Sequence, residues 1–212
     1  HGYKAVTVKL PLGDIQAEQF HQLAGLTRRY GGGRARITIQ QNIAMRWVPE
    51  GALYEVWQEL GRIGFGASGA DEVEDVVSCP GTDSCKLGIT SSMGVAKAVA
   101  EGLQEMDIQD PLVKQMHVKM SGCPNGCGQH HIGDIGFHGA VMKAPGGQVP
   151  AYEMFLGGSY DDGDARIGQR LKARVPAKMM PEAVKSMIAF YQEQRSEGEL
   201  FKDFVARVGS KS

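Results

Sequence analysis

The sequence predicts a mixed α/β (α+β) protein in two parts, and three observations carry that expectation. It is 42% hydrophobic and 22% charged, with no apolar run long enough to span a membrane. Segments of strand period and helix period follow one another along its 212 residues. All four cysteines fall in two short clusters in the second part of the chain. A formal net charge of −1 gives no electrostatic case for nucleic acid or an anionic membrane surface. Glycine is abundant and dispersed, as in a chain with many tight loops.

The first part spans residues 1–66. Lys4 to Leu10 alternates apolar and polar residues like a half-buried strand. Asp14 is placed to cap a helix in which Ile15, Phe20, Leu23 and Leu26 recur near helical spacing, and Gly31-Gly32-Gly33 ends it. Arg34 to Ile39 and Ala44 to Val48 read as strands across a Gln41-Asn42 connection. Leu53, Val56, Trp57, Leu60 and Ile63 then mark the buried stripe of a second helix. The order βαββα is half of a ferredoxin-like arrangement, and three strands call for a partner to complete the sheet. Gly64 to Gly69 is the expected boundary.

The second part spans residues 67–212. Ser91 or Ser92 can cap a helix that runs through Met106. Strands are expected at Gln115 to Met120, Ile132 to His138 and Tyr152 to Leu156, with an exposed turn at Lys143 to Gly147. Pro181 suits the first turn of a helix reaching Gln194, and Leu200 to Val208 reads as a final helix. Both cysteine clusters thus fall on loops beside regular elements.

Those clusters are Cys79-Pro-Gly-Thr-Asp-Ser-Cys85 and Cys123-Pro-Asn-Gly-Cys127, separated by 37 residues. A C-x5-C pair and a C-x3-C pair can supply four thiolates to a [4Fe–4S] cluster, whose irons each need one outward soft ligand. Two disulfides, a zinc site of four thiolates and four unrelated buried thiols compete with that reading. A chain of this length buries a core without staples and shows no apolar export signal, and C-x5-C is wide for a zinc knuckle. Pro80 and Pro124 fix φ after the first cysteine of each pair, while Gly81, Gly122, Gly126 and Gly128 allow close backbone approach to a bulky inorganic group.

With those stretches on view, the chain resembles the sirohaem- and [4Fe–4S]-containing nitrite and sulfite reductases. The likeness is carried by Cys79 to Ile89, by Ser121 to Phe137, by Val149 to Gly158 and by Arg174 to Lys178. The resemblance implies that Cys79, Cys85, Cys123 and Cys127 hold the cluster and that Cys127 is also the axial ligand of sirohaem iron. It implies an α/β 4Fe–4S domain after the ferredoxin-like half-domain, and a cytoplasmic reductase taking nitrite to ammonium or sulfite to sulfide. A donor such as ferredoxin would supply the electrons.

Family members carry two copies of this module, so the expectation is the C-terminal half of such an enzyme, partnered by the N-terminal module and inactive alone. Either cofactor would then be lost easily from the isolated chain. His1-Gly2-Tyr3 running straight into a strand fits an excised domain, and a half-length protein pairing with a second chain is the alternative. Asn125 would shape its loop or meet a cofactor edge. Arg36, Thr38, Gln40 and Asn42 alternate along one strand and its end and so share one face; such strands line the cofactor cleft in the family, and a solvated sheet face is the alternative. His130 and His131 are candidates to ligate metal or shuttle protons. A precorrin-3B synthase-like oxygenase module and a non-catalytic metal-binding or electron-transfer domain are the other classes that fit.

Overall fold

The computed structural model describes residues 2–161 and 163–209. The chain divides into two compact units, His1–Asp71 and Glu72–Ser212. No helix among the described residues is long and apolar enough to cross a membrane.

Unit 1 has the predicted βαββα order: β1 (Tyr3–Val8), α1 (Ala17–Tyr30), β2 (Ala35–Ile37), β3 (Ile43–Pro49) and α2 (Leu53–Arg62). The three strands form an antiparallel sheet in the order β1-β3-β2, with a register shift between Lys4 and Val6. The core joins Val8, Leu23, Met45, Val48, Val56 and Leu60, so apolar positions from both helices and from β1 and β3 meet on one side of the sheet.

Several details of unit 1 differ from the expectation. Asp14 does not cap α1. Gln16 is the N-cap, and its side chain and that of Gln19 exchange hydrogen bonds with each other's backbone N–H groups in a capping box. Trp57 is not part of the buried stripe: it is 54% exposed and its Nε1 donates to the Gly66 carbonyl at 3.0 Å. An indole N–H needs an acceptor, and the loop after α2 offers one at the surface. The strand expected from Arg34 to Ile39 stops at Ile37, where the chain turns and the Thr38 N–H donates to the Asn42 carbonyl.

Unit 2 contains β4 (Val77–Ser78), α3 (Ser92–Gln104), α4 (Pro111–Lys114), β5 (Val118–Ser121), β6 (Ile135–Ala144), β7 (Gly147–Leu156), β8 (Gln169–Pro176), α5 (Met180–Gln194) and α6 (Phe201–Val208). Among the described residues these strands make one sheet in sequence order, β4 to β8. The pairs β4–β5 and β5–β6 are parallel, while β6–β7 and β7–β8 are antiparallel. Helix α3 joins β4 to its parallel neighbour β5, as a parallel pair requires.

The long β6–β7 hairpin turns at Pro145-Gly146, with Ala144 paired to Gly147, which is the turn expected at Lys143 to Gly147. Pro181 lies in the first turn of α5 as predicted. Helix α5 covers the sheet through Val184, Ile188 and Tyr191, and Phe201 and Phe204 of α6 meet the Tyr191 ring edge-on at 5.2 and 5.3 Å. Strands β4 and β8 and helix α4 were not predicted.

Candidate metal and redox site

The parallel pairing of β4 and β5 builds the site. Ser78 lies opposite Met120, so the chain leaves two adjacent strands at the same end and reaches Cys79 on one side and Gly122-Cys123 on the other. The Cys79 N–H donates to the Met120 carbonyl at 3.2 Å. The first loop then coils through a short 3₁₀ turn at Gly81–Asp83, where the Cys85 N–H donates to Gly81 O at 2.9 Å and the Thr82 N–H to Thr90 O at 3.1 Å. Its returning limb locks to the second loop, because the amides of Ile89 and Thr90 both donate to the Gly122 carbonyl, at 2.9 and 3.1 Å.

Glycine makes that interlock possible. A Cβ on Gly122 would lie 2.6 Å from Gly81 Cα, and one on Gly128 would lie 1.8 Å from the Met120 carbonyl oxygen. Gly81, Gly122 and Gly128, expected to let backbone pass close to an inorganic group, lie in close contact with other backbone, and these contacts build the cradle for the thiols.

All four cysteines are free thiols, with Cys79 and Cys123 buried and Cys85 and Cys127 exposed. No disulfide pairs them. Among the described residues no three His, Cys, Asp or Glu side chains converge on a point that could hold one metal ion. Zinc draws four sulfurs to about 2.3 Å from a single point. A cubane takes one thiolate on each of four irons and needs the sulfurs spread around it. The Cys79 sulfur already accepts the Gly122 N–H at 3.1 Å, a hydrogen bond that suits a thiolate ligand. The donor set and its cradle therefore fit a four-iron cluster.

Beside the second loop lies a polar array that sequence reasoning saw only in part. His130 is fully buried, and its Nδ1 is 2.9 Å from Ser121 Oγ, which also accepts the Gly128 N–H at 3.0 Å. Its Nε2 has no hydrogen-bond partner among the described residues. Burial pushes its pKa down to about 3, with help from His131 and His138, so the ring is neutral at pH 7. The His131 ring stacks on it at 3.9 Å.

His138 Nδ1 donates to the Gly139 carbonyl at 3.1 Å, and its Nε2 lies 3.5 Å from Glu153, a buried carboxylate on β7. Arg170 and Arg174 of β8 donate to Glu153 from their Nε atoms at 2.8 and 2.9 Å. Burial alone would raise the Glu153 pKa, and the bonds from Arg174 and Arg170 outweigh it and hold the carboxyl below its ordinary value. A glutamate inside the apolar run Ala151-Tyr-Glu-Met-Phe155 was the available signal for this group.

The other candidates are scattered. Asn125 is exposed at the tip of the second loop. Arg36 is exposed on β2 of unit 1, and Thr38 and Gln40 are half-buried in the turn after it. Asn42 is fully buried, where its Oδ1 accepts the Leu10 N–H at 2.9 Å and its Nδ2 donates to Asp71 at 3.2 Å. Alternation along one strand does not unite these four, because the strand ends at Ile37. Asn42 serves as an internal brace of unit 1.

Free thiols on two interlocked loops at the ends of parallel neighbouring strands define the class: a half-domain followed by an iron–sulfur domain. Residues 1–63 match the nitrite/sulfite reductase ferredoxin-like half domain, and residues 69–212 match the nitrite and sulphite reductase 4Fe-4S domain. The chain belongs to the nitrite and sulfite reductase family.

Among its relatives, the ferredoxin–nitrite reductase of Synechococcus elongatus is 29% identical over 188 residues, covering 88% of this chain and 36% of that protein. The sulfite reductase [ferredoxin] of Mycobacterium tuberculosis is 28% identical over 212 residues, covering 98% and 38%. The structure of the M. tuberculosis NirA protein superposes with a TM-score of 0.88 at 27% identity, over 99% of this chain and 39% of that one. Dissimilatory sulfite reductase I shares the fold, with a TM-score of 0.80 at 13% identity over 98% of this chain and 67% of that one. The chain spans roughly 31 to 38% of the length of the curated relatives it matches.

Proposed function

We propose that this chain is the cluster-bearing module of a reductase that takes nitrite to ammonium or sulfite to sulfide, working with an N-terminal module and fed by ferredoxin. Cys79, Cys85, Cys123 and Cys127 are its [4Fe–4S] ligands, and Cys127 also binds sirohaem iron. The observation that carries this reading is the pairing of Ser78 with Met120, which delivers both cysteine loops to one end of the sheet. The relatives named as nitrite and sulfite reductases support the reaction class. Held by these residues, the cluster and sirohaem would relay the donor's electrons, one at a time, for the six-electron reduction of the anion.

The protein's own contribution is spatial and electrostatic. Two loops held together at Gly122 O and by glycine contacts carry the four thiols. The Gly122 N–H aims at Cys79 sulfur. Exposed Cys127 leaves its sulfur accessible from outside unit 2 to a second group. Substrate and haem carboxylates need cationic partners, and the N-terminal module is assigned that role, so the chain alone is expected to turn over neither anion.

Anaerobic reconstitution should yield about four irons and four acid-labile sulfides per chain, and Cys85→Ser should abolish them. Stoichiometric zinc without sulfide would reject the cluster. Turnover of the reconstituted chain with reduced viologen at the rate of a two-module reductase would reject the half-site.

A further inference from the structure

Of the two serines expected to cap α3, Ser91 is the N-cap residue, its carbonyl accepting the Val95 N–H at 3.3 Å. Ser91 Oγ donates to Asp83 at 2.9 Å, and no side-chain cap bond forms at the helix start. Ser92, fully buried as the first residue of α3, turns instead toward Cys79: its Oγ lies 2.7 Å from the Cys79 carbonyl oxygen and 3.5 Å from Cys79 Sγ. The hydroxyl is keyed between the two loops. A Cβ on Gly81 would fall 2.5 Å from Ser92 Oγ, and one on Gly122 would fall 3.2 Å from it.

We infer that Ser92 is a positioning residue for the redox poise of the centre, its hydroxyl and the Gly122 amide forming a donor pair on Cys79 sulfur that favours the reduced cluster. The inference rests on the assignment of Cys79 as a cluster ligand. A free thiol at this place can donate its own proton to Ser92. An iron-bound thiolate has none and only accepts, so Ser92, whose hydroxyl donates to the Cys79 carbonyl at 2.7 Å, also presents that proton to the sulfur 3.5 Å away. The Gly122 N–H, at 3.1 Å, is fixed by the backbone.

Reduction of a bound cluster would take one electron from a low-potential donor and transfer no proton. The charge added on Cys79 Sγ would draw the Ser92 proton from the carbonyl toward the sulfur. Bonds that strengthen on reduction raise the potential. No water competes at a fully buried hydroxyl, and the low local dielectric magnifies the difference.

The test compares the reconstituted full chain with its Ser92→Ala and Ser92→Thr variants, each first assayed for iron and sulfide. Dithionite titration followed by electron paramagnetic resonance gives the midpoint potential. Deuterium exchange followed by proton hyperfine spectroscopy of the reduced cluster asks whether a coupled proton exchanges within seconds, as a hydroxyl does. Ser92→Ala should move the midpoint to more negative potential and abolish that fast-exchanging coupling, while Ser92→Thr should restore both.

A wild type without four irons ends the ligand assignment and the inference with it. A cluster-bearing Ser92→Ala with the wild-type midpoint overturns the inference alone. If Ser92→Ala takes up no cluster, the wild-type spectrum decides: a fast-exchanging coupled proton upholds the donor, and its absence overturns it.

Discussion

Gly128→Ala tests the backbone interlock most directly. The added methyl would sit 1.8 Å from the Met120 carbonyl oxygen and 2.7 Å from its carbon. Neither is the end of a flexible side chain, so β5 or the loop must move. Overpacking of this kind costs about 1–3 kcal/mol. Displacing Met120 O also weakens the Cys79 N–H bond to it, and displacing Gly128 weakens its bond to Ser121 Oγ, at about 0.5–1.5 kcal/mol each. The entropy that alanine removes from the unfolded chain offsets about 0.4–1 kcal/mol.

The net expectation for Gly128→Ala is a loss of about 2–4 kcal/mol, or roughly a 30- to 1,000-fold rise in exchange of the best-protected amides of unit 2. The molecule provides its own control. Both tryptophans, Trp47 and Trp57, belong to unit 1. In urea, the tryptophan fluorescence transition should stay in place while the protection of the unit 2 amides is lost at lower denaturant. Gly25→Ala in α1, with nothing within 4 Å of the new carbon, should do no harm. A unit 2 transition within about 0.5 kcal/mol of wild type would refute the argument, because then the loops yield freely.

Two further outcomes follow from the buried polar array. His130 titrates near 3 in the native state against about 6.5 unfolded, so the unfolded chain binds the extra proton; stability should be full above pH 6.5 and fall as the pH drops toward 3. His130→Gln should flatten that slope in urea midpoints taken at several pH values, and equal slopes would contradict the assignment. Glu153→Gln keeps the shape and removes the charge that Arg170 and Arg174 share. A cost of about 1–3 kcal/mol is expected at pH 7, the lower part of the range being favoured by the half-exposed arginines. Because the native carboxyl is held below its ordinary value, the difference from wild type should persist above about pH 4.3 and fade in more acid solution, which midpoints at pH 7 and pH 3 will show.

What the sequence disclosed depended on how local the cause was. The βαββα order of unit 1 and the helix begun at Pro181 rest on periodicity and on residues acting on their own backbone, and both are present. Strand β4 is two residues long and shows no period. Strand β8 reads Gln-Arg-Leu-Lys-Ala-Arg-Val-Pro, a charged edge whose polarity guards an unpaired rim and hides its pairing with β7. Caps departed from expectation for two reasons: Gln16 displaced Asp14 through a local capping box with Gln19, and Ser92 turned to a tertiary partner, Cys79. The thiols were legible because four cysteines in two loops leave few readings. The partners of His138 and Glu153 were not, because they join β6, β7 and β8 across distances in sequence that no spacing records.

The 42 residues between Cys79 and Gly122 are closed into a loop by strand pairing and by the hydrogen bonds from the Cys79 N–H to Met120 O and from the Gly122 N–H to Cys79 Sγ. In small metal-folded domains, ligand binding is the folding event, and chelation unravels the chain. Here the entropy of bringing distant loops together is met by the sheet itself. The register of β4 on β5 thereby decides which parts of the two loops meet. Each loop then sets one thiol inside unit 2 and one at its surface, Cys79 and Cys123 buried and Cys85 and Cys127 exposed.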